Sequence, residues 1–120
     1  MTLEATYTYL LDKPGAAEGF PFGPEVCVFK VGGKMFALLA PDTLPPRVSL
    51  KCDPDRAIQL RTAHEAIEGA YHMNKTHWNQ VALDGSVPSA LVRDLIDHSY
   101  DLIVASLTRK QRALLSQAPE

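Results

Sequence analysis

Between Pro88 and Leu107, apolar side chains recur at Val92, Leu95, Ile96, Leu102 and Ile103, with Ser99 in the intervening place. Those steps of three and four mark one face of a helix, and such a stripe is stable only when another element covers it. Ser86 or Val87 can cap this helix. Pro88 suits its first turn, where a fixed φ is already helical and a missing N–H has no intrahelical partner to lose. Arg93, Asp94, Asp97, His98 and Asp101 fall on the opposite side, which reads as a solvated, acid-leaning face that does not lie against phosphates.

The covering surface is supplied upstream. Val26–Val31 and Lys34–Ala40 are β-rich runs on either side of Gly32-Gly33, and two adjacent glycines suit a tight primed turn that needs positive φ. A two-residue turn pairs Val31 with Lys34, Phe29 with Phe36 and Cys27 with Leu38. Cys27, Phe29, Val31, Phe36 and Leu38 then face the core, and Val28, Lys30, Met35 and Leu39 face outward. Arg47–Lys51 alternates in the same way, with Val48 and Leu50 inward.

Other segments fill in the order. Thr2–Asp12 reads as a short helix stopped by Lys13-Pro14-Gly15, and the two prolines of Phe20–Pro24 indicate an irregular or edge connection. Asp53 and Pro54 fit the N-cap and first position of a second helix that runs to about Thr62. A short strand is expected near Ala70-Tyr71. His77–Leu83 is a further strand, with Val81 and Leu83 on one face and Trp78 on the other, and Thr108–Arg112 caps a last short helix. Phe29, Phe36, Trp78, Val92, Leu95, Ile96, Leu102 and Ile103 are the expected core. The pattern is α+β: a two-layer sandwich, an antiparallel sheet with helices on one face, in a single domain spanning 1–120.

Composition narrows the setting. A chain of 120 residues with a formal net charge of −2 has no general attraction to nucleic acid, so a DNA site needs a local basic patch. No long apolar run or signal-like leader is present, and two cysteines without CxxC spacing read as buried free thiols. A cytoplasmic protein without membrane contact is expected, as a monomer or weak dimer.

From Tyr71 to Tyr100 the chain resembles the MmcQ/YjbR family of small bacterial proteins. The matching residues are Tyr71-His72-Met73-Asn74-Lys75, His77-Trp78-Asn79, Leu83-Asp84-Gly85-Ser86-Val87-Pro88 and Leu95-Ile96-Asp97-His98-Ser99-Tyr100. The glycine hairpin and the RVSLK–Asp53 segment fit the same layout more loosely. The resemblance implies an antiparallel α/β sandwich similar to secretion-chaperone and frataxin-like topologies. It also implies a suggested DNA-binding role through a double-wing arrangement, and no established enzymatic activity.

Two site readings follow from the residues themselves. His72, Asn74, Lys75 and His77 on alternating positions would form an anion or nucleotide pocket. Equally, His72 and Asn74 would satisfy turn backbone groups while Lys75 and His77 stay in water. Lys30, Lys34, Arg47 and Lys51 project from the outward sheet face or its tips, joined by Lys75, which makes five of the twelve basic residues available for phosphate contacts. The same charges also serve solubility and edge protection. Met35, Leu39 and Val28 on that face would mark a protein partner or dimer seam.

No catalytic, cofactor or metal residues are expected. Two histidines five apart leave zinc coordination incomplete. Nothing brings Ser86 or Ser99 together with His72 or His77 and Asp84, and no nucleophile elbow is present. The working expectation is a non-enzymatic protein that binds DNA weakly, through backbone contacts, with its basic sheet face and hairpin wing. The alternative is a protein- or small-ligand-interaction module without a nucleic-acid role. A concave basic face favours the first, and a flat apolar face favours the second.

Overall fold

The computed structural model describes residues 1–71 and 73–116. The elements run α1 (Leu3–Leu11), β1 (Ala17–Gly19), β2 (Cys27–Val31), β3 (Lys34–Ala40), β4 (Arg47–Lys51), α2 (Pro54–Ala63), β5 (Ile67–Gly69), β6 (Trp78–Ala82), α3 (Ser89–Ser106) and α4 (Arg109–Ser116). One antiparallel sheet has the order β1-β2-β3-β4-β6-β5. The helices α1, α2 and α3 pack on one face, and the core lies between them and the sheet. The two-layer α+β expectation holds; β1 was not anticipated, and the short strand expected near Ala70-Tyr71 is β5, at Ile67–Gly69.

The Gly32-Gly33 turn has φ of 59° and 80°, the positive values a primed hairpin turn requires. Val31 pairs with Lys34 as expected, but the register then shifts. Phe29 pairs with Ala37 and Cys27 with Leu39, which leaves Phe36 as an extra residue on β3. This β-bulge reverses the alternation beyond it. Leu39 therefore enters the core at 2 % exposure, and Leu38 turns to the outer face. Phe29 and Phe36 are not directly opposite, yet their rings still meet at 6.4 Å between centroids.

A bulge leaves backbone groups without ladder partners, and here a helix supplies them. The regular β3–β4 pairing ends at Ala37–Leu50. Beyond it the Ser99 hydroxyl donates to the Phe36 carbonyl at 2.6 Å and accepts from the Lys51 N–H at 2.9 Å. Ser99 is fully buried on the apolar stripe of α3. Its polarity inside that stripe is explained by this bridge.

The polar side of α3 is solvated at Arg93, Asp94 and Asp101, as expected, but Asp97 and His98 are half-buried and Asp94 is paired. Asp97 accepts from the Tyr9 hydroxyl at 2.7 Å and pairs with Lys13, which ties α1 down. Asp94 pairs with Arg56 of α2. The Asp53 N–H donates to His98 Nε2 at 3.1 Å, while Asp53 Oδ2 accepts from the Arg56 N–H as the N-cap of α2. Burial, followed by the nearby Arg56 charge, lowers the His98 pKa below its ordinary value.

Smaller expectations are corrected in the same way. The N-cap of α3 is Pro88 without a side-chain cap; Ser86 instead donates from its N–H and hydroxyl to Asp84 in the preceding turn. Those two bonds hold the Asp84 pKa below the usual carboxylate value. Trp78 and Leu102 are half-buried rather than core. Cys27 and Cys52 are buried free thiols; burial, helped by Glu18, pushes Cys27 up to about 11, so it is inert at neutral pH. No helix among the described residues is long and apolar enough to cross a membrane.

The α3–sheet bridge generates a quantitative expectation. Ser99→Ala strands a buried carbonyl and N–H at a cost of about 2 kcal/mol, against a gain in helix propensity of about 0.5 kcal/mol. The variant should lose about 1–2 kcal/mol in urea denaturation; stability equal to the parent would refute the bridge. His98 supplies a second. Its folded pKa is depressed, so its contribution is present above the unfolded value of about 6.5 and is lost as pH falls through the folded one. Melting temperature should drop as pH falls below about 6.5, the unfolded value, and His98→Gln should flatten that drop.

Candidate functional site: the open sheet face

With the described helices that join the core packed on one side, the other face of the sheet carries no described helix, though Val28 and Gln80 on it are buried. Direct pairing sets Leu38, Ser49, Gln80 and Glu68 in one row across β3, β4, β6 and β5. Adjacent strands are ~4.8 Å apart, so this row grades from aliphatic to hydroxyl to amide to carboxylate over ~14 Å. The neighbouring row is Ala40, Arg47 and Ala82. Two alanines leave space on either side of the single long cation.

Loops turn this face into a concavity. Phe22, on the connection between β1 and β2, and Tyr71 and Met73, on that between β5 and β6, flank a groove of about 500 Å³ floored by Met35, Leu38 and Ala40. Phe22 and Tyr71 are each 67 % exposed, an unusual state for aromatic rings in a folded chain. Arg47 and Gln80 also border a wider cleft of about 990 Å³, whose walls carry His64, Glu65, Glu68 and Asp84. The two concavities therefore adjoin at Arg47 and Gln80.

Gln80 is held in place, since its Oε1 accepts from the Tyr71 N–H at 3.2 Å and its Nε2 donates to Glu68 at 3.4 Å. Arg47 is half-buried and makes no ion pair or side-chain hydrogen bond among the described residues. An arginine normally finds a carboxylate, a carbonyl or a phosphate for its fork of donors.

The five basic residues expected to form one patch separate. Arg47 and Lys51 share the outer face but sit four residues apart on β4, ~13 Å. Lys30 is on that face at the far side, paired with Met35. Lys34 turns the other way: its ammonium donates to the Ser106 carbonyl at 3.1 Å, against the C-terminal end of α3, where a cation complements the helix dipole. Lys75 lays its stem over Gly69, whose partner Asn79 points toward α2, so it belongs to the helix side.

The polar cluster near residue 74 is divided as well. Asn74 Oδ1 accepts from the Thr76 N–H at 2.9 Å and its carbonyl accepts from the His77 and Trp78 N–H groups, the backbone-satisfying role of an Asx turn. Its side chain also borders the groove. His77 is exposed, and His72 lies outside the described residues. Ser99 and Ser86 serve the structural roles already given. Among the described residues no three His, Cys, Asp or Glu side chains come together to hold a metal ion.

Sequence reasoning placed Arg47, Ser49 and Met35 on this face but missed Leu38, Gln80 and the two aromatic walls. The bulge at Phe36 hid Leu38. The strand phase that sets Val81 inward already sends Gln80 outward, and this signal went unused.

Comparison with known proteins places this geometry. A family model described as YjbR matches residues 11–102. The chain is 36 % identical over 117 residues to the uncharacterized protein YjbR of Escherichia coli K12, covering 98 % of this chain and 99 % of that one. It is 38 % identical over 102 residues to the uncharacterized protein YbdF of Escherichia coli O157:H7, covering 85 % and 84 %. Among solved structures, Deinococcus radiodurans protein DR2400 superposes with a TM-score of 0.89 at 40 % identity, over 96 % of this chain and 88 % of that one.

An unpaired arginine contributes nothing to folding through its charge. Arg47→Gln should change stability by no more than about 0.5 kcal/mol in denaturant titration. A loss several times larger would mean that Arg47 holds the fold together and is not available to a ligand.

Proposed function

The chain belongs to the YjbR family, and on the geometry of its open sheet face we propose that it is a binding module, not an enzyme, whose groove takes an amphipathic ligand carrying an anionic group. The observation that carries this reading is Arg47, half-buried and unpaired among the described residues, at the polar end of a groove with an aliphatic floor. Most of the surface such a ligand would bury is apolar, and apolar burial contributes about 25 cal/mol per Å². The guanidinium then orients the anion, as the few polar groups of a ligand site usually do. Exposed Phe22 and Tyr71 supply flat walls for an aromatic or extended apolar body.

A nucleic-acid reading has one observation in its favour: Lys30, Arg47 and Lys51 share this face. Against it, Lys34 and Lys75 are directed to the helix side, and Glu68 lies on the same face as the remaining cations. The face is concave, as nucleic acid would favour, but apolar rather than basic, which favours the ligand-binding reading.

Anilinonaphthalene sulfonate, an aromatic anion that fluoresces in apolar surroundings, tests the proposal. It should bind the folded protein saturably, with the affinity reduced at least about tenfold by Arg47→Ala, equivalent to ~1.4 kcal/mol, and also by Leu38→Asp. Labelled duplex DNA at about 50 and 200 mM salt provides the contrast. No saturable dye binding, together with salt-sensitive duplex binding that weakens in Lys30→Ala and Arg47→Ala, would overturn the proposal in favour of nucleic acid.

A further inference from the structure

The ligand-binding reading leaves the second concavity unused, although it adjoins the groove at Arg47 and Gln80. Across the pair of concavities the chemistry changes in a fixed order. Met35 and Leu38 on β3 are apolar, Arg47 on β4 is cationic, and Glu68 on β5 with Glu65 before it is anionic. An occupant complementary at all three points is apolar, then anionic, then cationic, over the ~14 Å that four adjacent strands span. At the ~3.4 Å rise of an extended peptide, ~14 Å is about four residue steps, so about five residues cover the distance.

Resting on the binding-module reading above, we infer that the occupant is an extended peptide segment of a partner protein crossing the sheet face, with an apolar residue over Leu38, an acidic residue at Arg47 and a basic residue at Glu65 and Glu68. Charge complementarity selects this class over nucleic acid. A polynucleotide crossing the same path meets one arginine and then two carboxylates, and like charges repel its phosphates. A lone aromatic acid fills the groove but leaves the acidic cleft unmatched. The outer edge of β5 lies beside the cleft, and the short β5 leaves a peptide room to continue past it.

The test is selection of a randomised hexapeptide display library against the purified full chain, followed by dye competition with the enriched peptides. Enriched sequences should carry apolar, acidic and basic residues in that order, and each should displace anilinonaphthalene sulfonate. Glu68 is exposed, so Glu68→Lys should fold, and it should select peptides whose last charged residue is acidic. A selected peptide should bind that variant at least about tenfold more weakly. No enrichment, or enrichment indifferent to Glu68→Lys, overturns the peptide assignment while intact dye binding leaves the groove reading standing. Loss of dye binding in the parent overturns both. Displacement of the dye by single-stranded DNA but by no peptide, or by self-association of the chain at high concentration, also overturns the peptide assignment.

Discussion

The Ser99 hydroxyl is the contact on which the rest of this molecule turns. It stands where β3 breaks step, and it replaces both halves of a missing ladder bond, to the Phe36 carbonyl and from the Lys51 N–H. Two buried backbone groups without partners would cost about 2 kcal/mol. With the serine in place, the bulge is tolerated, and three properties follow. Phe36 and Ala37 both enter the core, Leu39 follows them, and Leu38 is released to the outside. The apolar floor of the groove is therefore a by-product of how α3 docks on the sheet.

That docking is reinforced where water was expected. Asp97, Asp94 and His98 of α3 hold α1 and α2 through Tyr9, Lys13, Arg56 and the Asp53 N–H. Tyr100 adds a hydroxyl bond to the Pro14 carbonyl and packs edge-on against Phe36. The helical layer is thus joined by directional bonds as well as by burial, and Asp94, Asp97 and His98 are committed there. Arg47 on the outer face has no such commitment. The asymmetry separates the residues that stabilise the fold from those available for recognition.

What could be read in the sequence follows from the range of the interactions. Local chemistry was legible: Asp53-Pro54 opens α2, Gly32-Gly33 turns the hairpin, Val48 and Leu50 face inward, and Thr108 with Gln111 forms the reciprocal cap of α4. The resemblance around Tyr71–Tyr100 led to the correct family and fold. The bulge was not legible, because its cause lies 63 residues downstream in a serine that reads as a mere gap in an apolar stripe. On the polar side of α3, Asp97 and His98 were misjudged for a related reason: periodicity separates polar from apolar faces but cannot distinguish a solvated acid from one facing another helix. The basic patch failed through Lys34 and Lys75, whose long stems reach around the sheet rather than away from it.

The C-terminal end of the fold closes over two glycines. A Cβ on Gly32 would lie 2.7 Å from a Leu107 methyl carbon, and one on Gly15 only 2.3 Å from Leu115. Gln111 adds a bond to the Gly32 carbonyl. Both glycines also have positive φ, so a side chain there is strained by backbone and space alike. Translation adds a temporal consequence. The hairpin tip and the end of α1 are synthesised well before residues 107–115, so the segment that seals them follows later. Contacts of such long sequence separation form late. A nascent chain thus carries its first hairpin unsealed until residues 107–115 follow, and the bare glycines keep the seat vacant until its occupant arrives.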